Sequence, residues 1–200
     1  TAVIYTKNNE SRKALGVLQN MDLHTPYFVY LQGVNELQLL QHKKSIIYFD
    51  EFLKTNPSYY ENSARFYMAK SYYLTNDKKL ALLIREVESA PNGDLPADKI
   101  AKGKIGGLLN RNKILLKGQL LFDGGSYDEC LHELLNVNKV MFNEADMIEY
   151  YYRLGRLYQE LSEHQKAKAN LLLVVFKSGN DNRTYFGPNA CLQLAKLFLE

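Results

Sequence analysis

Apolar residues recur every three or four positions along most of the chain, and the stretch YYRLGRLYQELSEHQKAKANLLLVVF, Tyr151 to Phe176, shows the pattern plainly. Two apolar-aromatic segments at helical spacing flank a Ser-Glu-His break. Such spacing puts the apolar side chains of each segment on one face of a helix. The same reading along the chain predicts helices over 9–20, 26–40, 43–54, 59–74, 77–89, 97–122, 127–139, 144–160, 163–177 and 186–200. No strand-like alternation interrupts them. Gly103, Gly106 and Gly107 weaken the helix over 97–122. Boundary residues agree with this division. Thr25-Pro26 reads as an N-cap followed by a proline at the first helical position. Ser126 to Glu129 and Ser162 to Gln165 read as capping boxes, each opening a second helix.

The paired segments repeat. With Tyr151 as position 4 of a unit, Leu154 and Gly155 are 7 and 8, Tyr158 is 11, Ala167 is 20 and Leu171 is 24. In the same frame Gly118 is 8, Leu121 is 11, Gly125 is 15, Cys130 is 20 and Leu134 is 24. Gly33, Ser45 and Phe49 fill 8, 20 and 24 of an earlier unit, and Met68-Ala69, Tyr72 and Ala81 fill 7, 8, 11 and 20 of the next. Leu194-Ala195 and Phe198 fill 7, 8 and 11 of a last one. Ala14 takes the role of position 20 in a segment that reads as a lone second helix without its partner. Small residues at 8 and 20 let two helices approach closely, and large ones at 4, 11 and 24 fill the space beside them. The final helix has Leu192, Leu194, Leu197 and Phe198 to cover, so the sequence predicts residues beyond Glu200 or another chain against this face.

This frame resembles the tetratricopeptide repeat (TPR), a 34-residue helix-turn-helix unit with Leu-Gly at 7 and 8, Tyr at 11 and Ala at 20. The spacing between successive position-8 residues departs from 34 each time and is longest between Ala69 and Gly118. Only the unit ending at Asn56-Pro57 keeps a closing proline. The tyrosine-rich, degenerate units also resemble those of bacterial TPR proteins, particularly from Bacteroidetes. The resemblance implies an all-α fold, an α-α superhelix of about five antiparallel helix pairs in a single domain over 1–200. Its units would be 1–24 (partial), 25–58, 59–95, 96–142, 143–180 and 181–200 (partial), forming part of a longer chain.

What the resemblance implies about function is a non-catalytic scaffold that binds a protein or peptide along its concave face. Alternatives are a helper domain of a larger enzyme or of a secretion or assembly complex and, more remotely, an RNA-binding helical repeat. In TPR proteins that face is lined by positions 2, 5, 9, 12 and 13. Here these positions select Tyr27, Tyr30, Phe66, Lys70, Tyr73, Gln119, Tyr152, Arg156, Gln159 and Lys196, with Asn112 and Asn189 beside them. Position 9 reads Lys70, Gln119, Arg156 and Lys196 in four successive units. Such a polar, mostly basic row beside aromatics suits carboxylates and apolar side chains of a peptide. The family's clamp for chaperone-tail carboxylates is not expected, because position 5 reads Tyr30, Phe66, Leu115, Tyr152 and Leu192.

Composition narrows the alternatives. Charged residues make up 24% and the net charge is only +3, with no Lys/Arg run longer than two, so no nucleic-acid partner is expected. The longest apolar run, Leu171 to Phe176, is too short for a membrane span. The start, TAVIYTKNNESRK, has no apolar core of a signal peptide. The chain therefore reads as soluble, with its compartment undefined; without an initiator Met, the expectation is of a processed product or an excised piece. The exposed terminal helices are further places for contacts. Cys130 and Cys191 read as two free, buried small hydrophobes.

No cofactor, metal or catalytic group is expected. His132-Glu133-Leu-Leu-Asn136 has Asn136 where a zinc-binding helix needs its second His. Gly103-Lys104-Ile-Gly106-Gly107 lacks the spacing of a phosphate-binding loop. His24, His42, His132 and His164 fall in different units and read as surface or capping residues.

Overall fold

The computed structural model describes residues 1–21, 25–179 and 185–199. His24 and Glu200, named above, lie outside them. The protein is all-α, with no strand among the described residues. Its helices are α1 (Ala2–Lys7), α2 (Ser11–Gln19), α3 (Pro26–Gln38), α4 (His42–Lys54), α5 (Glu61–Thr75), α6 (Leu80–Ser89), α7 (Pro96–Ile105), α8 (Lys113–Asp123), α9 (Tyr127–Leu135), α10 (Glu144–Glu160), α11 (His164–Ser178) and α12 (Phe186–Leu199). Short 3-10 turns occupy Leu108–Asn110 and Lys139–Met141.

The chain forms two compact units, Thr1–Lys113 with Asp123–Gly125, and Ile114–Phe122 with Ser126–Glu200. In the first, consecutive helices pack in sequence order, and α3 also touches α1 and α5. α5 packs on both α6 and α7. In the second unit α10 lies against α9, α11 and α12, and α11 against α12.

Five helix pairs share one kind of turn: α1/α2, α3/α4, α5/α6, α8/α9 and α10/α11. The residue at position 15 is left-handed in each: Asn9 (φ 58°), Leu40 (55°), Asn76 (57°), Gly125 (73°) and Ser162 (58°). The next N–H then turns back onto the carbonyl at position 11. Glu10 donates to Tyr5, Gln41 to Glu36, Asp77 to Tyr72, Ser126 to Leu121 and Glu163 to Tyr158, all at 2.8–2.9 Å. This six-to-one bond ends the first helix as a Schellman motif. One of the five left-handed residues is glycine and two are asparagine, which tolerates the conformation; Leu40 and Ser162 take it at a cost of about 1–2 kcal/mol.

The close approach expected between paired helices is present. A Cβ on Gly33 would sit 2.7 Å from the Phe49 ring, one on Gly118 2.9 Å from Leu134, and one on Gly155 2.7 Å from Leu171. In all three cases the large residue lies sixteen positions after the glycine and is fully buried. Ala14, Ser45, Cys130 and Ala167 at position 20 are fully buried as well. Their N–H groups donate to the residue at position 16, at 2.9–3.0 Å. Cys130 Sγ also contacts the carbonyl of Gly118 (3.2 Å).

Several expectations are corrected. α1 packs against α2, and Ala2, Ala14 and Leu18 are buried, so the N-terminal helix is not alone. The helix expected over 97–122 is three elements. Leu95-Pro96 opens α7, Gly106 and Gly107 let it end, and extended Arg111 separates the 3-10 turn from α8. The helix expected over 127–139 stops at Leu135. Ser162 takes the left-handed turn, and Glu163 is the N-cap of α11. Ser126 does occupy an N-cap, but its hydroxyl makes no capping bond. Ala81 is exposed, because Asp77 Oδ1 accepts from the Lys79 N–H (2.9 Å) in a local turn that delays α6 to Leu80. Leu83 and Val87 face inward instead. Cys191 is exposed, since α12 buries Gly187, Ala190, Gln193, Leu194 and Leu197 on its other side.

Two buried carboxylates mark the first unit. Asp98 of α7 accepts from the backbone N–H of Tyr60 and of Ser63, both at 2.8 Å, so α7 caps the N-terminus of α5. Glu36 occupies position 11, where the other units place Tyr72, Leu121 and Tyr158. Burial pushes its carboxyl above the usual carboxylate range, with Lys44 at 3.8 Å pulling the other way.

The helix contacts predict opposite signs for two similar substitutions. Gly155→Ala drives a methyl into Leu171 and loses about 1–2 kcal/mol. Gly16→Ala in α2, where a Cβ meets nothing within 4 Å, gains about 0.5–1 kcal/mol from helix propensity. Thermal melts of the two variants check the contrast, and equal shifts would remove the case for close approach. Glu36 predicts a pH effect. Because its folded pKa is raised, the native state keeps a proton that the unfolded chain has lost, so this group's contribution to stability falls as pH rises from the ordinary carboxylate range upward. Glu36→Gln should therefore be more stable than wild type near pH 7, with the difference shrinking toward about pH 4. Urea denaturation across that range measures it.

Candidate functional site

The residues selected from the sequence fall into two groups, one in each compact unit. In the first unit they sit on α3 and α5. The Tyr30 ring is buried, stacked on Tyr60 (4.7 Å between centroids) and edge-on to Phe49 (5.9 Å), and it also meets Phe52 and Tyr67. Its hydroxyl pairs with the Ser63 hydroxyl at 2.9 Å. Burial raises its pKa far above that of a free tyrosine, and raises that of Tyr67 too. Tyr27 is half-buried and stacks on Tyr60 (5.5 Å) and Tyr30 (6.2 Å).

Tyr60 is the hub that sequence reasoning passed over. It holds a left-handed backbone (φ 59°) at the N-cap of α5, fixed by Asp98. The doubled Tyr59-Tyr60 was the visible signal, but nothing local in the sequence ties it to a carboxylate thirty-eight residues away.

Phe66 and Lys70 are also buried. The Lys70 ammonium lies 4.7 Å from the centroids of both Phe66 and Tyr67, a cation–π arrangement that covers the charge with rings. Tyr73 is half-buried. Its hydroxyl donates to the carbonyl of Arg111 (2.5 Å) and faces that of Leu109 (3.3 Å), while Lys113 lies over its ring (4.6 Å). Of the five first-unit residues, then, three are enclosed and two reach the surface. Asn112 is half-buried.

The second-unit residues converge more. Tyr152, Arg156 and Gln159 follow one another at four and three positions along α10, and so share a face. Tyr152 is only 6% exposed. Tyr185 and Phe186, at the start of α12, bring their rings to 5.9 Å and 5.2 Å from it. Burial raises the Tyr152 pKa, hydrogen bonding to Arg156 opposes that shift, and hydrogen bonding to Tyr185 adds to it. The Arg156 guanidinium carbon lies over the Phe122 ring of α8, 5.5 Å from its centroid, and the group makes a loose ion pair with Glu160 (3.7 Å). Gln159 Nε2 donates to Gln193 Oε1 of α12 (3.5 Å).

Gln119 joins this face through Arg153, which donates to it at 3.3 Å and donates through Nε to Glu149 Oε1 at 2.8 Å. Lys196 is exposed on α12, and Asn189 donates to the Tyr185 carbonyl (2.7 Å). Phe122, Glu149, Arg153, Tyr185, Phe186 and Gln193 were not selected from the sequence. The Glu149–Arg153 spacing was its one available signal.

Among the described residues, no group of three or more His, Cys, Asp or Glu side chains could hold a metal ion, and no helix is long and apolar enough to cross a membrane. Asn136 is the C-cap of α9, with its side chain donating to the His132 carbonyl (3.0 Å). Comparison with protein-family models, curated proteins and solved structures finds no match for the chain.

The Tyr73 hydroxyl bonds predict that Tyr73→Phe costs about 1 kcal/mol, the usual net worth of a hydrogen bond. Chemical denaturation reads this directly. An unchanged midpoint would mean that the bond to Arg111 adds nothing to the first unit.

Proposed function

We propose that this protein is a non-catalytic scaffold of TPR-like helical hairpins, stacked as an α-α superhelix, and that it binds a peptide or protein segment. The observation that carries the reading is the recurrence of one hairpin: the same left-handed turn five times, and a large side chain (Phe49, Leu134 or Leu171) over a glycine three times. A helix pair of this kind buries one side against its neighbours and leaves the exposed side of its first helix available. In the second unit half-buried Arg156 and Gln159 on α10 share a face with buried Tyr152, beside Phe122 of α8 and Tyr185, the exposed residue just before α12. Rigid rings provide apolar area at little entropic cost, and a partly covered guanidinium provides directed donors.

Tyr30, Phe66, Lys70 and Tyr152 are all buried, whereas Arg156 and Gln159 keep part of their surface open, and this shifts the reading toward the second unit.

Selection of short peptides from a displayed random library on the immobilised protein tests this. Wild type should enrich related sequences. Arg156→Gln should weaken the selected peptides by about 1–3 kcal/mol, if the guanidinium bonds to them, while its melting temperature stays close to wild type. Failure to enrich any family of sequences would overturn the proposal.

A further inference from the structure

α12 is apolar around most of its circumference. Gly187, Ala190, Gln193, Leu194 and Leu197 are buried against the rest of the second unit. Pro188, Cys191, Leu192, Ala195, Phe198 and Leu199 recur at three- and four-residue steps, and all six are exposed on another face. A helix that is hydrophobic all round belongs inside a protein. α11 widens the exposed face. The two helices run antiparallel, with Ser178 against Gly187 at one end and the Lys168 ammonium over the Phe198 ring (4.7 Å) at the other. Leu172 and Phe176 continue the row that Lys168 begins on α11, and both are exposed. Phe176 is 84% and Phe198 66% exposed, so neither ring belongs to the core. Apolar residues gathered in this way, rather than scattered singly, mark an interaction surface.

The other helix pairs show what such a face receives. Gly33, Ala69, Gly118 and Gly155, at position 8 of their units, are all buried. Over the three glycines, a Phe or Leu of the following helix closes the contact. Ala195 holds position 8 in α12 and is exposed. The element that fits against it is a helix presenting a large apolar side chain, as α11 presents Leu171 to Gly155.

Charge decides whose helix it is. α11 and α12 carry Lys166, Lys168, Lys177 and Lys196, and neither contains Asp or Glu. Lys166 is paired with Glu163. Lys168 borders the apolar face on α11, and exposed Lys196 borders it on α12, four residues from Leu192. A second copy laid on this face would set lysines against lysines. An acidic helix would meet them with opposite charge.

We propose that the α11–α12 face of the second unit docks an amphipathic helix of another protein, with a Leu or Phe over Ala195 and with Asp or Glu along its edges facing Lys168 and Lys196. This goes beyond the reading above, because it adds a second surface and states the secondary structure and charge of what binds there.

The probe is a stapled helical peptide about four turns long, with Leu along one face and Glu along both edges, compared with the same peptide carrying Lys in place of Glu. Fluorescence anisotropy should show the Glu peptide binding about tenfold tighter at low salt, with the gap narrowing as salt rises. Ala195→Glu puts a charge at the centre of the face and should weaken the Glu peptide by about tenfold or more. Residue 195 is exposed, so the variant should melt close to wild type. Lys168→Glu combined with Lys196→Glu should reverse the preference between the two peptides. Cys191 supplies a footprint: iodoacetamide should alkylate it readily in the free protein and slowly once the Glu peptide is bound.

Equal binding of the two peptides overturns the proposal, as does an Ala195→Glu variant that binds like wild type. So does a Cys191 that resists alkylation in the free protein. Release of that protection on dilution would make the cover a second copy, and protection at every concentration would make it the chain's own residues. None of these results touches the α10 face, which the peptide library and Arg156→Gln read separately.

Discussion

Everything regular in this protein depends on how closely two consecutive helices can approach. At Gly33, Gly118 and Gly155 the first helix has no Cβ, and a Phe or Leu from the second helix fills the space against its backbone. That contact fixes the register of the pair, because the filling residue can meet the glycine at only one rotation of each helix. The left-handed turn residue supplies the matching chain reversal. Once both are set, the remaining inner positions face the neighbouring helices without further instruction.

The small-and-large columns were legible in the sequence because they follow from side-chain size alone. Gly33, Gly118 and Gly155, with Ser45, Cys130 and Ala167, read correctly as points of close approach. The turns were legible only in part. A left-handed residue is expected to be glycine or asparagine, which fits Gly125, Asn9 and Asn76, but Leu40 and Ser162 gave no sign of it; Ser162 instead read as a cap. Ala81 failed for a related reason. Its size fitted the column, but a local side-chain turn at Asp77 moved the start of its helix. α1 was missed because six residues are too few for a periodic pattern to stand out.

The candidate site was legible only in outline. Positional reasoning found Tyr152, Arg156 and Gln159, which do share a face, but it gave equal standing to Tyr30, Phe66 and Lys70. Tyr152 is as enclosed as Tyr30, and only Arg156 and Gln159 stay partly open; around Tyr30 and Lys70 the cover comes from Tyr60 and Tyr67, whose rings arrive from elsewhere in the sequence. Asp98 fixes Tyr60 through two backbone amides of another helix, a contact that no spacing rule announces. Likewise Phe122, Tyr185 and Gln193 reach α10 from α8 and α12, and only the fold brings them there.

The sixteen-residue span of each closing contact has a consequence for how the chain acquires its structure. Closing so short a loop costs little chain entropy, and each doubling in length would add only about 0.6 kcal/mol. Contacts that are near in sequence give a low contact order, the property that accompanies fast folding. Each hairpin can therefore form as its own segment emerges, before any distant part of the chain exists. It can also open by itself, so that protection against hydrogen exchange would vary from one pair to the next along the molecule.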